Sequence, residues 1–336
     1  METNNDLIRV LTREGVLINA SVRYWRGCLK LKPEDIGLDA DALSKRLISL
    51  GHKRLLPKEA TAELTLVEGR VHALIEANTF PFLNGLAHFL PNAKLGEMTG
   101  KLKDLESEYW LAQHQFLADY ARLRAEATIE WRAMAEKLVA DPERLLATIE
   151  AAFPLPEKMA KHFSFDVQLF QISLPESLAL ELVSTEEQQG VIQARQRAVE
   201  EAGNKIRRDT EAFVADCIAS LREQTAQLCD EMLHSINSCQ TGVHQKTLNR
   251  LINFIDQFKQ MNFANDTVMA EQLNTIRQAL LSRTAKEYRD NDFARNRLVD
   301  SLHQLSNTAK EMAKQDATEL VQRFGELGRR KFNLAA

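Results

Sequence analysis

Residues 184–239 read STEEQQGVIQARQRAVEEAGNKIRRDTEAFVADCIASLREQTAQLCDEMLHSINSC, more than fifty positions without a proline. At about 1.5 Å per residue, a helix through them would run to roughly 80 Å, longer than an ordinary domain is wide. Ser184 and Glu187 have capping-box spacing, so that a hydroxyl and a carboxylate satisfy amides left open by the first turn. Such a helix buries its apolar stripe only against other long helices. The expected fold is mainly α, an elongated bundle of long helices with coiled-coil character.

Periodicity separates this helix from a second long one. Ala198, Ala202 and Ile206, then Phe213, Cys217 and Leu221, then Leu228, Met232 and Ile236 recur every fifteen residues. That is about 3.75 residues per turn against the heptad's 3.5, which suits several partners better than one tight supercoil. Polar Asp209 and Gln224 stand where a fourth contact would fall. Residues 92–139 differ, because Leu95, Met98, Leu102, Leu105, Tyr109, Ala112 and Phe116 step by three and four in turn, as in a coiled-coil seam.

Two stretches alternate with the period of a strand. In Val16–Trp25, Val16, Ile18, Ala20, Val22 and Tyr24 fall on one side. In Phe163–Leu174, Phe163, Phe165, Val167 and Leu169 do the same. A lone strand leaves backbone groups unpaired, so a small two-stranded β unit joining Val16–Trp25 to Phe163–Leu174 is expected. Further helices are expected from Asp39 to Gly51, from Pro57 to about Ala77, after Asp141-Pro142, and over Gln245–Met261, Asp266–Tyr288 and Asp292–Phe324. The chain is thus expected to form one elongated helical protein in four stretches. Residues 1–91 hold a strand and short helices, 92–162 the heptad helix and a cap, 163–239 a strand and the longest helix, and 240–336 the last helices.

Composition bounds the function. A net charge of −4 over 336 residues gives no global attraction to nucleic acid or anionic lipid. The polar start METNNDLIRVLTREG has no apolar core of signal-peptide length, and no stretch reaches the ~18 apolar residues of a membrane span. Cys28, Cys217, Cys229 and Cys239 are too dispersed for a secreted disulfide framework, so a reduced, cytoplasmic setting is expected.

Several motifs weigh less than they first suggest. Gly96-Glu97-Met98-Thr99-Gly100-Lys101 imitates a phosphate loop but is one residue short, and Leu102 replaces the magnesium-binding hydroxyl. Met98 and Leu102 belong to the heptad seam instead. Cys229 with His234 and Cys239 with His244 repeat a spacing of five, but such positions lie about 140° apart on a helix. Structural cysteines are the better reading. No catalytic residue, cofactor or metal is expected, and the chain reads as a non-enzyme.

Two segments carry candidate contacts. Between Arg23 and Lys58, nine basic residues face four acids, with Tyr24 and Trp25 interleaved. Arg23, Trp25, Arg26, Lys53 and Arg54 are the candidates for nucleic-acid contact, against the reading of a solvated face. Arg329-Arg330-Lys331 adds a basic tail. Residues 78–92, NTFPFLNGLAHFLPN, hold no formal charge and three phenylalanines. Phe80, Phe82, Leu86 and Phe89 form either a buried cap, the favoured reading, or an exposed tip that meets a partner or a membrane.

Six blocks together carry a resemblance. They are GVLINASVRYWRG (15–27), ISLGHKRLLPKEA (48–60), NTFPFLNGLAHFLPNAKL (78–95), FDVQLFQISLPE (165–176), KTLNRLINFIDQFKQMNF (246–263) and ELVQRFGELGRRKF (319–332). Nearly end to end, the chain resembles a bacterial and phage family catalogued as a domain of unknown function and carried by mobile elements. The resemblance implies gene neighbours, a MoxR-type AAA+ ATPase and a von Willebrand A protein, similar to the small and large cobaltochelatase subunits. The family assigns no catalytic residues, so none carries over. Three functions are expected in order: a scaffold or adaptor acting with that ATPase, a nucleic-acid-binding accessory factor, and a membrane-active long-helix protein using Phe80–Leu90. Self-association stays open.

Overall fold

The helix Asp292–Lys314 packs along the helix Glu186–Ser238 because the latter is apolar on two adjoining stripes, and that pairing organises half the chain. The elements, in a computed structural model, follow in chain order. They begin with α1 (Thr3–Glu14), β1 (Gly15–Arg23), β2 (Cys28–Lys30), β3 (His52–Arg54), α2 (Ala62–Asn78), β4 (Phe80–Phe82), β5 (Ala87–Pro91) and α3 (Asn92–Leu138). Next come α4 (Pro142–Ala152), α5 (Pro156–Met159), β6 (Ser164–Phe170), α6 (Glu186–Ser238), α7 (Gln245–Met261), α8 (Thr267–Leu281), α9 (Ala285–Asp290) and α10 (Asp292–Lys314). The structure describes residues 3–38, 48–82, 85–171, 186–238, 243–281, 283–315, 320, 321 and 324. The chain is mainly α, and it divides into two units. The first is Met1–Ile18, Asn78–Gly96 and Leu169–Ala336, and the second is Asn19–Ala77 and Glu97–Gln168.

In the first unit α6 buries Phe213, Cys217, Leu221, Leu228, Met232 and Ile236 on one stripe. Val214, Ile218, Cys229 and Leu233 are buried on the next. The fifteen-residue period therefore marks a helix with several partners, among them α1, α7 and α10. Its first layer departs from expectation, since Ala198 and Ala202 are exposed and Ile206 half-buried. Small side chains there bring too little apolar area to hold a partner. The capping Ser184 and the helix's end at Cys239 lie outside the described residues, as do Arg329, Arg330 and Lys331.

A buried ion pair pins this bundle. The Arg222 side chain donates from Nε to Asp266 Oδ2 at 2.7 Å and from Nη1 to the Met312 carbonyl at 2.7 Å. Asp266 in turn accepts from the Met269 amide at 3.3 Å in the first turn of α8. Both charged residues are buried. One guanidinium thus ties α6 to the α7–α8 turn and to α10. The expected helix Asp266–Tyr288 is broken in two, where Thr284 caps α9 through a reciprocal box with Glu287.

The expected two-stranded unit is part of a larger sheet, of strand order β4-β5-β1-β6. The first residues of β1 pair antiparallel with β5, from Gly15 opposite Pro91 to Ile18 opposite His88. β4 pairs with β5, with Phe80 opposite Phe89 and Phe82 opposite Ala87. Periodicity did not mark these two strands, although Asn84-Gly85 between short apolar runs is a hairpin signal. Gly85 takes φ +81° and its amide reaches the Phe82 carbonyl at 3.1 Å. Pro81 is accommodated because β4 is an edge strand with an amide to spare. Gly15 is required by close approach, since any Cβ there would collide with the Phe89 ring and the Leu90 carbonyl.

In the second unit the α3 seam is buried at Met98, Leu102, Leu105, Tyr109, Ala112 and Phe116, as its heptads predict. What its rings meet is a strand and short connecting segments: Tyr109 packs on Phe165 at 5.6 Å and Phe116 on Phe163 at 5.7 Å. The seam turns aromatic beyond Leu105, and the tyrosine hydroxyls seek carbonyls, Tyr109 at Arg23 and Tyr120 at Pro154. β2 and β3 form a separate antiparallel pair, Cys28 opposite Arg54. The expected helix Asp39–Gly51 lies largely outside the described residues. Its end, Ile48–Gly51, is not helical, and Gly51 takes φ +74°.

Replacing Arg222 with Met should lower the unfolding free energy by about 3 kcal/mol, because it strands a buried carboxylate. Replacing Arg222 with Met and Asp266 with Asn together should cost less than the two single changes summed. Urea denaturation followed by circular dichroism checks both, and additive losses would contradict the pairing.

Candidate interaction surface

The aromatic hairpin is interior. Phe80, Phe82 and Phe89 are buried, while Leu86 at the turn is 73% exposed. The Phe82 ring stands edge-on to Phe213 of α6 at 4.8 Å, and Phe89 lies 5.6 Å from Phe213 and 4.7 Å from Phe263. Phe80 completes the stack against Phe263 at 5.6 Å. Alternation puts these rings on one face of the hairpin, and that face is turned to α6. Of the four candidates here, Leu86 alone offers surface to a partner.

Two cations of the basic segment are paired with carboxylates. Lys53 is buried, its ammonium 2.7 Å from the Asp35 carboxylate, which also accepts from the Lys32 amide at 2.8 Å. It holds the β2–β3 pair to the turn at Pro33–Ile36 and is not a surface cation, a correction to its reading as a nucleic-acid contact. Arg26 is exposed but paired with Glu68 at 2.5 Å and stacked over the Tyr24 ring at 5.1 Å. Trp25 joins Phe116, Tyr120 and Phe153 in an aromatic cluster. Arg23 and Arg54 are exposed, with Arg23 Nε donating to Ser164 Oγ at 3.1 Å. Lys45 and Arg46 lie outside the described residues. Lys53 and Arg26 are thus spent on Asp35 and Glu68, while Arg23 and Arg54 remain at the surface.

Residues 96–101 continue α3, with Met98 and Leu102 buried and Lys101 paired to Glu97 one turn back at 2.5 Å. Cys229 is interior and His234 exposed, so those two do not share a site. Among the described residues no three histidines, cysteines or carboxylates gather as a metal site would need. Burial pushes the Cys229 thiol up to about 12, with Asp230 adding to the shift, and raises Cys217 well above the ordinary thiol range. Both thiols are protonated at neutral pH and therefore poor nucleophiles.

The surface that does gather one chemistry is the groove between α6 and α7 in the first unit. Its volume is about 790 Å³, and Gln224 and Gln227 of α6 face Gln245, Asn249, Asn253 and Gln257 of α7 across it. Leu228 and Phe254 supply apolar floor, and Arg250 pairs with Glu231 across the two helices at 2.5 Å. Several of the amides are already engaged within the fold: Gln245 donates to Asn249 at 2.9 Å and accepts from the Ala285 amide of α9 at 3.4 Å, and Gln227 donates to Glu231 at 3.1 Å. Each carboxamide both donates and accepts, as a peptide group does. The sequence carried this signal as Gln245, Asn249, Asn253 and Gln257 at a strict spacing of four, which a reading focused on apolar periodicity passed over.

Two measurements check these environments. In a Cys239→Ser background, a disulfide exchange reagent at pH 8 should label exposed Cys28 fast, and Cys217 and Cys229 only on unfolding. Burial raises the Tyr109 phenol to about 12. Folded and unfolded chains are both protonated there below about pH 10, so stability is unaffected; above it the unfolded chain ionises first and stability falls. Tyr109→Phe should flatten that alkaline decline in urea midpoints.

A family model described as a protein of unknown function, DUF3150, matches residues 12–306. No curated protein and no solved structure matches the chain.

Proposed function

The chain belongs to this family of unknown function, and from that premise we propose that it is a non-enzymatic scaffold or adaptor. In this reading it acts in the cytoplasm, within a system encoded by a mobile element or phage, beside a MoxR-type AAA+ ATPase and a von Willebrand A protein. The observation that carries the reading is the α6–α7 groove. Its walls present carboxamides, a salt bridge and two apolar side chains, the equipment for hydrogen-bonding a polypeptide. Of the charged side chains that line it, Arg250 and Glu231 are spent on each other, and Lys246 has no ion-pair partner among the described residues. The helices that form the groove are anchored by the buried Arg222–Asp266 pair, so the surface is presented on a rigid support.

The direct test is co-purification of the full chain with the ATPase encoded beside it, followed by ATP-turnover assays. The adaptor reading expects retention of the ATPase and a changed hydrolysis rate. No association and unchanged turnover, with every component folded, would sink it.

A further inference from the structure

The exposed wall of α7 has a symmetry that an ordinary solvated helix face does not need. Leu248, Leu251, Ile255 and Phe258 are buried and fix which way the helix faces. On the other side, Gln245, Asn249, Asn253 and Gln257 fall within an arc of about 120°, at about 100° per residue. Their order, Gln-Asn-Asn-Gln at even spacing, reads the same from either end. Lys246 and Asp256 lie in the same arc, one near each end and equally far from its midpoint.

We infer that the occupant of this wall is a second copy of the chain, its α7 antiparallel to the first about a twofold axis near Leu251. The inference rests on reading the groove as a polypeptide-binding surface and names its partner. In that arrangement Gln245 faces Gln257 of the second copy, and Asn249 faces Asn253. Carboxamides are both donors and acceptors, so like faces like without an unpaired group. Lys246 faces Asp256 of the second copy, and the symmetry makes this ion pair twice. Among the described residues Lys246 has no ion-pair partner. Asp256 already holds Arg277 at 3.2 Å, so its position is set before the second copy arrives. A parallel or unrelated polypeptide helix would match neither the palindrome nor the charge pair.

The same features set the strength. The face is polar along its length, with the apolar contribution confined to Phe254 and Leu228 on the groove floor. A contact of this kind belongs with small, reversible interfaces rather than obligate dimers. Its charge pairs sit in solvent, so salt weakens it.

Sedimentation velocity of the full chain from about 5 to about 500 µM at low salt should show a reversible monomer–dimer equilibrium in the micromolar range. Lys246→Glu and Asp256→Lys should each raise the dimer Kd about tenfold, since each change places like charges together twice. The double exchange Lys246→Glu with Asp256→Lys should return it to within about threefold of the parent. Circular dichroism confirms that each variant is folded; Asp256→Lys also breaks the ion pair with Arg277, so Lys246→Glu is the change that isolates the contact. A monomer at every concentration, or a dimer indifferent to all three variants, would overturn the inference. ATPase retention is scored in parallel. A dimer that fails to bind the ATPase upholds the self-contact and sinks the adaptor reading. A monomer whose ATPase binding is lost on Lys246→Glu does the reverse, assigning the wall to the ATPase.

Discussion

The first unit depends on one guanidinium. Arg222 is taken out of water together with Asp266, and the cost of burying both charges is offset by their pairing and by further hydrogen bonds to backbone groups. The carbonyl of Met312 takes one arm of the fork, and the amide of Met269 takes the far oxygen of the carboxylate. An apolar residue of similar volume would pack there with less penalty. What the pair adds is selection among packings: α6, α10 and the α7–α8 turn fit together in the one arrangement that pairs both charges. The turn itself is shaped to deliver Asp266, with Asn262 bridging to its amide at 2.8 Å and Asn265 in the left-handed region at φ +57°.

That constraint explains how the exposed wall of α7 keeps its orientation. Apolar side chains fill the inner arc of the helix, and the pinned turn fixes its end, so the outer arc stays at a defined angle to α6. Amides on a mobile helix would lose rotamer entropy on meeting a partner. Here the backbone part of that loss has already been met in folding. The second unit manages its polar groups by the same rule at smaller scale. Lys53 with Asp35 closes the β2–β3 pair, and the buried Tyr109 hydroxyl finds a carbonyl on β1.

Legibility in the sequence followed the strength of the local signal. The long helices α3 and α6, the span of α7 and the strands β1 and β6 stood out because each keeps one period along most of its length. The hairpin of β4 and β5 was lost among three-residue runs, where two phenylalanines cannot distinguish a strand from a loop, although Asn84-Gly85 marked the turn. Lys53 was misassigned because charge along a chain does not reveal which carboxylate folds back upon it; Asp35 is eighteen positions upstream. The α7 wall escaped for a different reason. Its pattern is polar, and apolar patterning locates the buried side of a helix while leaving the outer side unread.

The division of the chain has a consequence for how it is made. The first unit begins with α1, is left at Ile18, resumes for one hairpin, is left again at Gly96 and returns only after Gln168. Leu7, Val10 and Leu11 of α1 share a core with Phe213, Val214 and Cys217, roughly two hundred positions later. At ribosomal speeds of about 5–20 residues per second, the apolar face of α1 waits some 10–40 s for its partners on α6 to emerge, and the rings of the hairpin wait some 6–26 s. A cell that makes this protein must therefore shelter an unfinished surface on every molecule, while the second unit, complete by Gln168, has all of its own chain in hand.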